Sequence, residues 1–483
     1  MQYRAIIRIL GLLVALFSVT MIPPAIVSLI YQDGGGLPFV MAFVLCLFTG
    51  LAFWYPNRDM KSDLRAKEGF LIVVLFWTVL ASFGAIPFML LDQPEMSITD
   101  AIFESFSGLT TTGATVIEGI DFLPHAVQFY RQQLQWLGGM GIIVLAVAIL
   151  PILGVGGMQL YRAETPGPVK DSKMTPRIAD TAKHLWYIYL SLTIACSFAY
   201  WLAGMTFFDA ICHAFSTIAI GGFSTHDASL GYFDSPVVNI VCVVFLWIAA
   251  LNFALHYSAV NNKTLKGYKY DPEFKAFFFL QVVLILVCFF TLVLSGYYTS
   301  AEQGLDQAMV QAVSISTTAG FATTDFASWP LFLPILLIFS SFIGGCAGST
   351  GGGLKVIRIV LLYLQGKREV DRLVHPKAVY AVKLGDRAVP SRVVEAIWGF
   401  FSAYAIVFVI IMIGLIATGL DNITSFTATA AMLNNLGPGL GEVASTYSSV
   451  SDSAKWLLVL AMLFGRLEVF SLLVLFSPTF WRD

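Results

Sequence analysis

Four stretches of this 483-residue chain place small polar residues and a glycine in one register. In the first, Asp100 and Ser107 precede Thr110, Thr111, Thr112 and Gly113; in the second, Asp209 and Ser216 precede Ile220, Gly221 and Gly222. In both, the final glycine falls 13 residues after the aspartate and six after the serine. The third is looser, with Asp306, then Ser314 six residues before Gly320, and Thr317, Thr318 and Ala319 between them. The fourth, Asn434-Asn435-Leu436-Gly437-Pro438-Gly439, diverges most. Stripping water from a monovalent cation takes several oxygens at close range, and backbone carbonyls of an extended glycine-containing segment supply them. Alternating carbonyl directions requires positive φ at some positions, which glycine adopts at low cost. The hydroxyls of Thr110, Thr111 and Thr112 add oxygens or hold the backbone. No carboxylate lies in these turns, which disfavours a divalent-selective ring.

Each turn follows a short apolar stretch with a polar start (Ser97 or Thr99, Thr206, Ser300, Thr424) that can cap a helix. About 10 residues is too short to cross a bilayer, so such a helix enters and returns. Irregular backbone at membrane depth is tolerated only where it is buried in protein or lines a cavity. The short helices also point their negative dipole ends inward, favouring cations. The key glycines Gly113, Gly222, Gly320 and Gly437 are 109, 98 and 117 residues apart, an internal repeat that decides the fold.

The rest of the chain supplies the frame. Hydrophobic residues make up 57% and charged residues 12%, half the charge of a soluble domain. Apolar runs at 6–30, 38–54, 70–91, 135–153, 186–202, 237–255, 277–294, 334–344, 397–416 and 456–476 predict about ten helical spans. The first run is too long for a signal peptide and lacks a small-residue cleavage site, so it reads as a retained span. The fold class expected is an all-α polytopic membrane protein. Two N-terminal helices (1–69, with a basic linker) precede four units of helix, re-entrant loop and helix around a central pore. The unit bounds are 70–158, 159–270, 271–366 and 367–483.

Lysine and arginine total 28, and 25 fall in alternate linkers or near the termini; the intervening linkers at 31–37, 92–128, 203–236 and 295–330 hold none. By the positive-inside rule both termini are cytoplasmic. The exceptions are Arg131, Lys455 and Arg466; the first two lie near outer span ends, from which long basic side chains reach the interface. The net charge of −2 argues against nucleic acid. Six cysteines without CxxC spacing exclude zinc and redox motifs.

Two features lie below the turns. Arg466 falls 11 residues after Lys455, about 16 Å along a helix and so near mid-depth. A charge there is costly and faces a cavity or a partner. It either projects into the permeation path and limits cation flow, or pairs structurally with a buried acid; Glu468, two positions on, faces another side of the helix. The end of the eighth run and the residues after it carry six glycines, Gly344, Gly345, Gly348, Gly351, Gly352 and Gly353. Each costs about 1 kcal/mol in a helix, so an irregular loop is expected. A phosphate loop fails because Gly353-Leu354-Lys355 lacks a GK[ST] ending; a plain flexible linker is the other alternative. Glu104, His213 and Gln311, each nine before a key glycine, read as polar packing, with Ala428 in the fourth unit.

These turns and their spacing resemble the selectivity filters of the Trk/Ktr/HKT potassium transporter superfamily, and the chain is most similar to its TrkH branch from about Phe70 onward. That resemblance implies one filter glycine per repeat (Gly113, Gly222, Gly320, Gly437). It implies potassium held by the carbonyls of Thr111 and Thr112, Ile220 and Gly221, Thr318 and Ala319, and Asn435 and Leu436. It supports the pore role of Arg466 and implies a gating loop in the glycine-rich segment. It further implies a homodimer in a bacterial inner membrane and a cytosolic, nucleotide-binding ring of the TrkA type. The basic linker 361–392 could dock that ring. The chain itself has no nucleotide fold, and potassium is the only ion implied.

The function expected is gated, channel-like potassium uptake. The alternative is secondary transport coupled to protons or sodium. Coupling uses titratable groups buried in the spans, and apart from Arg466, Glu468 and Glu395 the spans hold few. An intramembrane enzyme ranks last: His184, His226, His256 and His375 lack metal-ligand spacing and no nucleophile–base pair stands out.

Overall fold

The computed structural model describes residues 2–59, 66–141 and 178–482, except 377, 379 and 386. The linker 159–185 and the fourth apolar run at 135–153 therefore lie largely outside the described residues. The protein is an all-α membrane protein; among the described residues the helices are interrupted by one short hairpin, Lys383–Leu384 against Arg387–Ala388, in the basic linker.

Among the described residues, six of the apolar runs form helices long and apolar enough to span a bilayer: Tyr3–Tyr31, Gly36–Asn57, Lys67–Met89, Lys183–Leu202, Pro272–Leu294 and Ser391–Ala417. The sixth and tenth runs, expected as single spans, are bent pairs. Pro236–Ala250 turns by 90° into Phe253–Asn262, and Asp452–Arg466 turns by 116° into Phe470–Phe476. At the first bend the Asn252 side chain accepts from the Ala254 amide at 2.8 Å and starts a new helix. At the second, Glu468 and Val469 take φ of 51° and 32°, which ends an α-helix. Apolar composition sets burial in lipid but not helix continuity, so neither bend was legible. The eighth run was: helix Leu333–Ser341 gives way to irregular backbone at 342–355 before Val356–Val374.

Each unit has a leading helix, a short helix and a trailing helix. The leading helices are Ala66–Gly84, Ile178–Leu202, Pro272–Leu294 and Ser391–Ala417. The short helices are Ile98–Leu109, Phe207–Ala219, Ala301–Ser316 and Asn422–Leu433. Trailing helices begin at His125, Pro236, Leu333 and Asp452. Ser97 and Thr206 cap the first two short helices, accepting from the Asp100 and Asp209 amides at 3.1 Å. Ser300 occupies the third cap without a side-chain bond. In the fourth, Asp421 rather than Thr424 is the cap, accepting from Ile423 and Thr424; an aspartate three residues upstream is the better acceptor for two amides.

The N-terminal helices Tyr3–Ser18 and Gly36–Trp54 cross where Gly11 and Gly50 let the backbones touch. A Cβ on Gly50 would press on the Ala15 backbone, and one on Gly11 on Trp54 and Gly50. Close packing of small residues holds helices together where lipid is as apolar as the side chains. Gly50→Leu should separate this pair and cost roughly 1–3 kcal/mol, read as a lowered melting temperature of the purified protein in detergent; an unchanged melting point would refute the contact's importance.

Candidate functional site

The four turns have one backbone. Two residues before each key glycine the chain turns left-handed: Thr111, Ile220, Thr318 and Asn435 have φ of 57°, 54°, 71° and 53°. The glycines follow at 79°, 79°, 83° and 96°. The residue between them donates its amide back to the short helix: Thr112 to Ser107 O at 2.9 Å, Gly221 to Ser216 O at 2.8 Å, Ala319 to Ser314 O at 2.7 Å and Leu436 to Ala431 O at 2.7 Å. This is the helix-ending bond of a left-handed cap. The divergent fourth turn therefore folds like the others. Its serine equivalent, Ala431, suffices because the bond uses only a backbone carbonyl.

The turns meet around one axis. A Cβ on Gly113 would strike the carbonyl oxygen of Gly221, and one on Gly222 that of Ala319. One on Gly320 would strike that of Leu436, and one on Gly437 that of Thr112. Every such contact falls inside 3.0 Å. Each turn thus presses its neighbour, and the fourth presses the first, closing a ring. A cavity of about 590 Å³ opens on one side of the ring and touches all four glycines.

Side chains from the same and from other units brace the ring. Gln135 of the first trailing helix donates to Gly221 O at 2.6 Å and accepts from the Phe223 amide at 3.1 Å, holding the second turn. Asn435 donates to the Thr112 hydroxyl and to Met462 O, both at 3.0 Å, tying the fourth turn to the first. Tyr447 donates to Gly437 O at 2.8 Å. Thr110 donates to Phe106 O and meets the Thr112 hydroxyl at 2.7 Å, so these two hydroxyls hold backbone and each other. Sequence reasoning missed Gln135 and Tyr447. The available signal was a glutamine entering an apolar run, a costly placement unless bonded.

The residues nine before each glycine hold the limb after it. Glu104 accepts from Thr115 and from the Val116 amide, His213 bonds Ser224 at 2.9 Å, and Gln311 donates to Thr324 O at 3.0 Å. In the fourth unit Ala428 has no such group, and neighbouring Thr427 accepts from the Leu440 amide instead. Arg131 and Lys455 do not reach the interface as expected. Arg131 is fully buried against Glu104 at 2.8 Å, and Lys455 pairs with Asp100 at 2.7 Å. Glu104 comes from the short helix of the same unit, 27 residues away, and Asp100 from the first unit, 355 residues from Lys455, so desolvation is offset by pairing rather than by snorkelling.

On the other side of the ring lies the glycine-rich segment. Gly352 donates to the Thr318 hydroxyl at 2.8 Å, Gly353 to Asn434 O at 3.0 Å, and Thr350 to Ile218 O at 2.9 Å. Gly351 lies against Thr317 O and Ile220. The segment thus touches three short-helix ends and caps two of them, at Ile218 O and Asn434 O. Gly344, Gly348 and Gly353 take φ of 68°, 74° and 73°, and Gly345 abuts Ala250. Arg466 reaches across the same space, donating to Thr111 Oγ1 at 3.3 Å, to Thr350 O at 3.2 Å and to Gly138 O. Glu468 pairs instead with Arg358 at 2.7 Å.

At the rim of the cavity, the loops after turns one and two interlock. His226 Nδ1 meets Asp121 at 2.5 Å, its Nε2 lies 3.5 Å from Asp209, and its ring stacks on Tyr232. Asp227 accepts from the Ile120 and Asp121 amides. Burial works against the His226 imidazolium, but Asp209 and Asp121 outweigh it and raise its pKa. Burial likewise opposes the Asp121 carboxylate, while His226 and Asp227 hold its pKa below the usual range.

The sequence profile of the TrkH family, described as cation transport protein, matches residues 36–482. The chain is 68% identical over 485 residues to the Trk system potassium uptake protein TrkH of Vibrio parahaemolyticus, with all of both chains covered. It is 62% identical over 483 residues to the protein of that name from Escherichia coli K12, again over all of both. A crystal structure of the potassium transporter TrkH from Vibrio parahaemolyticus superposes with a TM-score of 0.92 at 65% identity, covering 100% of each chain.

The His226 latch has a defined pH window. A raised histidine pKa contributes stability that is complete below its ordinary value of 6.5 and lost as pH rises through the folded value. The lowered Asp121 pKa contributes above 3.8 and is lost as pH falls through the folded value. Melting temperature should therefore decline as pH rises from about 6 to 9, and His226→Gln should flatten that decline; an equal slope in the variant would refute the latch.

Proposed function

The chain belongs to the TrkH family of cation transport proteins, and from that premise we propose that it takes up potassium through the ring of four turns by gated, channel-like permeation. The observation that carries this reading is the closed ring itself. Four segments of like backbone conformation converge where no side chain fits, leaving peptide oxygens to replace an ion's water shell. The carbonyls of Thr111 and Thr112, Ile220 and Gly221, Thr318 and Ala319, and Asn435 and Leu436 supply those oxygens. The close relatives are named potassium uptake proteins, which supports potassium as the cargo. Transport rather than catalysis is the family's activity.

Arg466 and the glycine-rich segment form the gate in this reading. A guanidinium within reach of Thr111 repels a cation leaving the ring, and the segment fills the space beneath. Glu104 and Glu468 are committed to protein donors, Arg131 and Arg358 respectively, which leaves them poorly placed to carry coupled protons. This favours a pore over coupled transport. The chain resides in the bacterial inner membrane with both termini cytoplasmic, by the placement of its basic residues. It works as a homodimer, and its basic linker 361–392 docks a cytosolic nucleotide-binding ring of the TrkA type. The four units divide near residues 70, 159, 271 and 367.

In proteoliposomes the reversal potential should follow the potassium gradient alone; a shift with pH or sodium gradient would favour coupling. Gly113→Ser forces a Cβ onto Gly221 O, and the potassium-to-sodium permeability ratio should fall roughly tenfold, the effect of about 1.4 kcal/mol. Arg466→Ala should raise potassium flux several-fold, and unchanged flux would remove its gating role.

A further inference from the structure

The glycine-rich segment is held at its base by a residue the sequence reading passed over. Glu273 stands in the first turn of the third leading helix, buried at 7% exposure. One of its carboxylate oxygens accepts from the Ala347 amide at 2.7 Å and from the Ile357 amide at 3.0 Å. Ala347 lies on the incoming limb of the segment, and Ile357 in the first turn of the helix that leaves it. The limbs also touch directly, through the Val356 amide and Gly345 O at 3.1 Å.

The second bond has a specific reason. Helix Val356–Val374 starts at Lys355, whose φ is 77° and whose side chain makes no capping bond. Its first amides need an acceptor and its positive end favours an anion. Glu273, from another helix, supplies both. The helix to which Glu273 belongs does not need it, because Asp271 already caps that end, accepting from the Phe274 amide at 2.7 Å. Above, Arg466 fixes the tip at Thr350; below, Glu273 fixes the base. Any movement of the segment away from the ring that carries Ala347 off Ile357 must break a charge-assisted bond at this oxygen.

We propose that Glu273 is a positioning residue that clasps the glycine-rich segment in its present arrangement, and that the segment moves only when this carboxylate releases Ala347 or Ile357. The inference deepens the gating reading above and rests on it for its effect on flux, but not for its effect on the segment.

A native thiol reports on the clasp. Cys346 adjoins Ala347 and is 2% exposed, while Cys196, Cys242 and Cys288 are fully buried within helices. In full-length protein in liposomes, a membrane-permeant maleimide is applied and each cysteine's labelling is read by peptide mass spectrometry. Glu273→Ala should raise the Cys346 rate roughly tenfold and leave the other three unchanged, with Glu273→Gln intermediate because it keeps an uncharged acceptor. Potassium flux should rise in parallel at an unchanged potassium-to-sodium ratio, since the ring is untouched. A native Cys346 rate in Glu273→Ala, with the three controls protected, overturns the clasp. If the controls also react in that variant, the same two outcomes are read on Glu273→Gln. A faster Cys346 without added flux upholds the clasp and overturns the segment's role as gate.

Discussion

Everything in this molecule is arranged around a ring in which four backbones approach too closely for a Cβ atom. Each key glycine faces the carbonyl of the residue before the next key glycine, and the fourth faces the first. That closeness is only possible where positive φ and a missing side chain coincide. It explains why the four short helices all end in the same left-handed cap although their sequences share so little.

Such a ring cannot support itself. A short segment of irregular backbone within a membrane has no water to satisfy it, so every polar group must find protein. The partners come mostly from neighbouring units: Gln135 from the first holds the second turn, and Asn435 from the fourth holds the first. Bracing across units makes the ring one object rather than four independent loops. The buried Arg131–Glu104 pair belongs to the same logic. It fixes the limb after the first turn and extends to Ser224 O in the second unit at 3.1 Å. Removing either partner would leave an uncompensated charge in a water-poor place.

The two faces of the ring differ in chemistry. One opens on a cavity lined by His226 and Asp227, both bonded to Asp121. The other is covered by a segment whose six glycines are used in two ways. Gly344, Gly348 and Gly353 bend the chain, while Gly345, Gly351 and Gly352 let it lie against Ala250 O, Thr317 O and Asn434 O. The segment is irregular but well tied, at its tip by Arg466 and at its base by Glu273. In the proposed reading of this protein, that tied state is the one in which passage is blocked.

Much of this was legible in the residues. Hydrophobic runs determine spans because lipid leaves a helix as the only way to satisfy a backbone. The register of Ser107, Ser216 and Ser314 with their glycines determined the repeated turn because a left-handed cap needs a residue free to adopt positive φ. The glycine density at 344–353 determined the broken helix. Tertiary structure alone decided where the sixth and tenth runs bend, since Gly348 O accepts from the Phe253 amide at the first bend and Arg358 pairs with Glu468 at the second. It alone decided that Arg131 and Lys455 are paired inside rather than reaching outward, because Glu104 and Asp100 are brought to them only by the packing of whole helices. And it alone showed Glu273 bound to Ala347 and Ile357, since no spacing along a chain records which amides a distant carboxylate will meet.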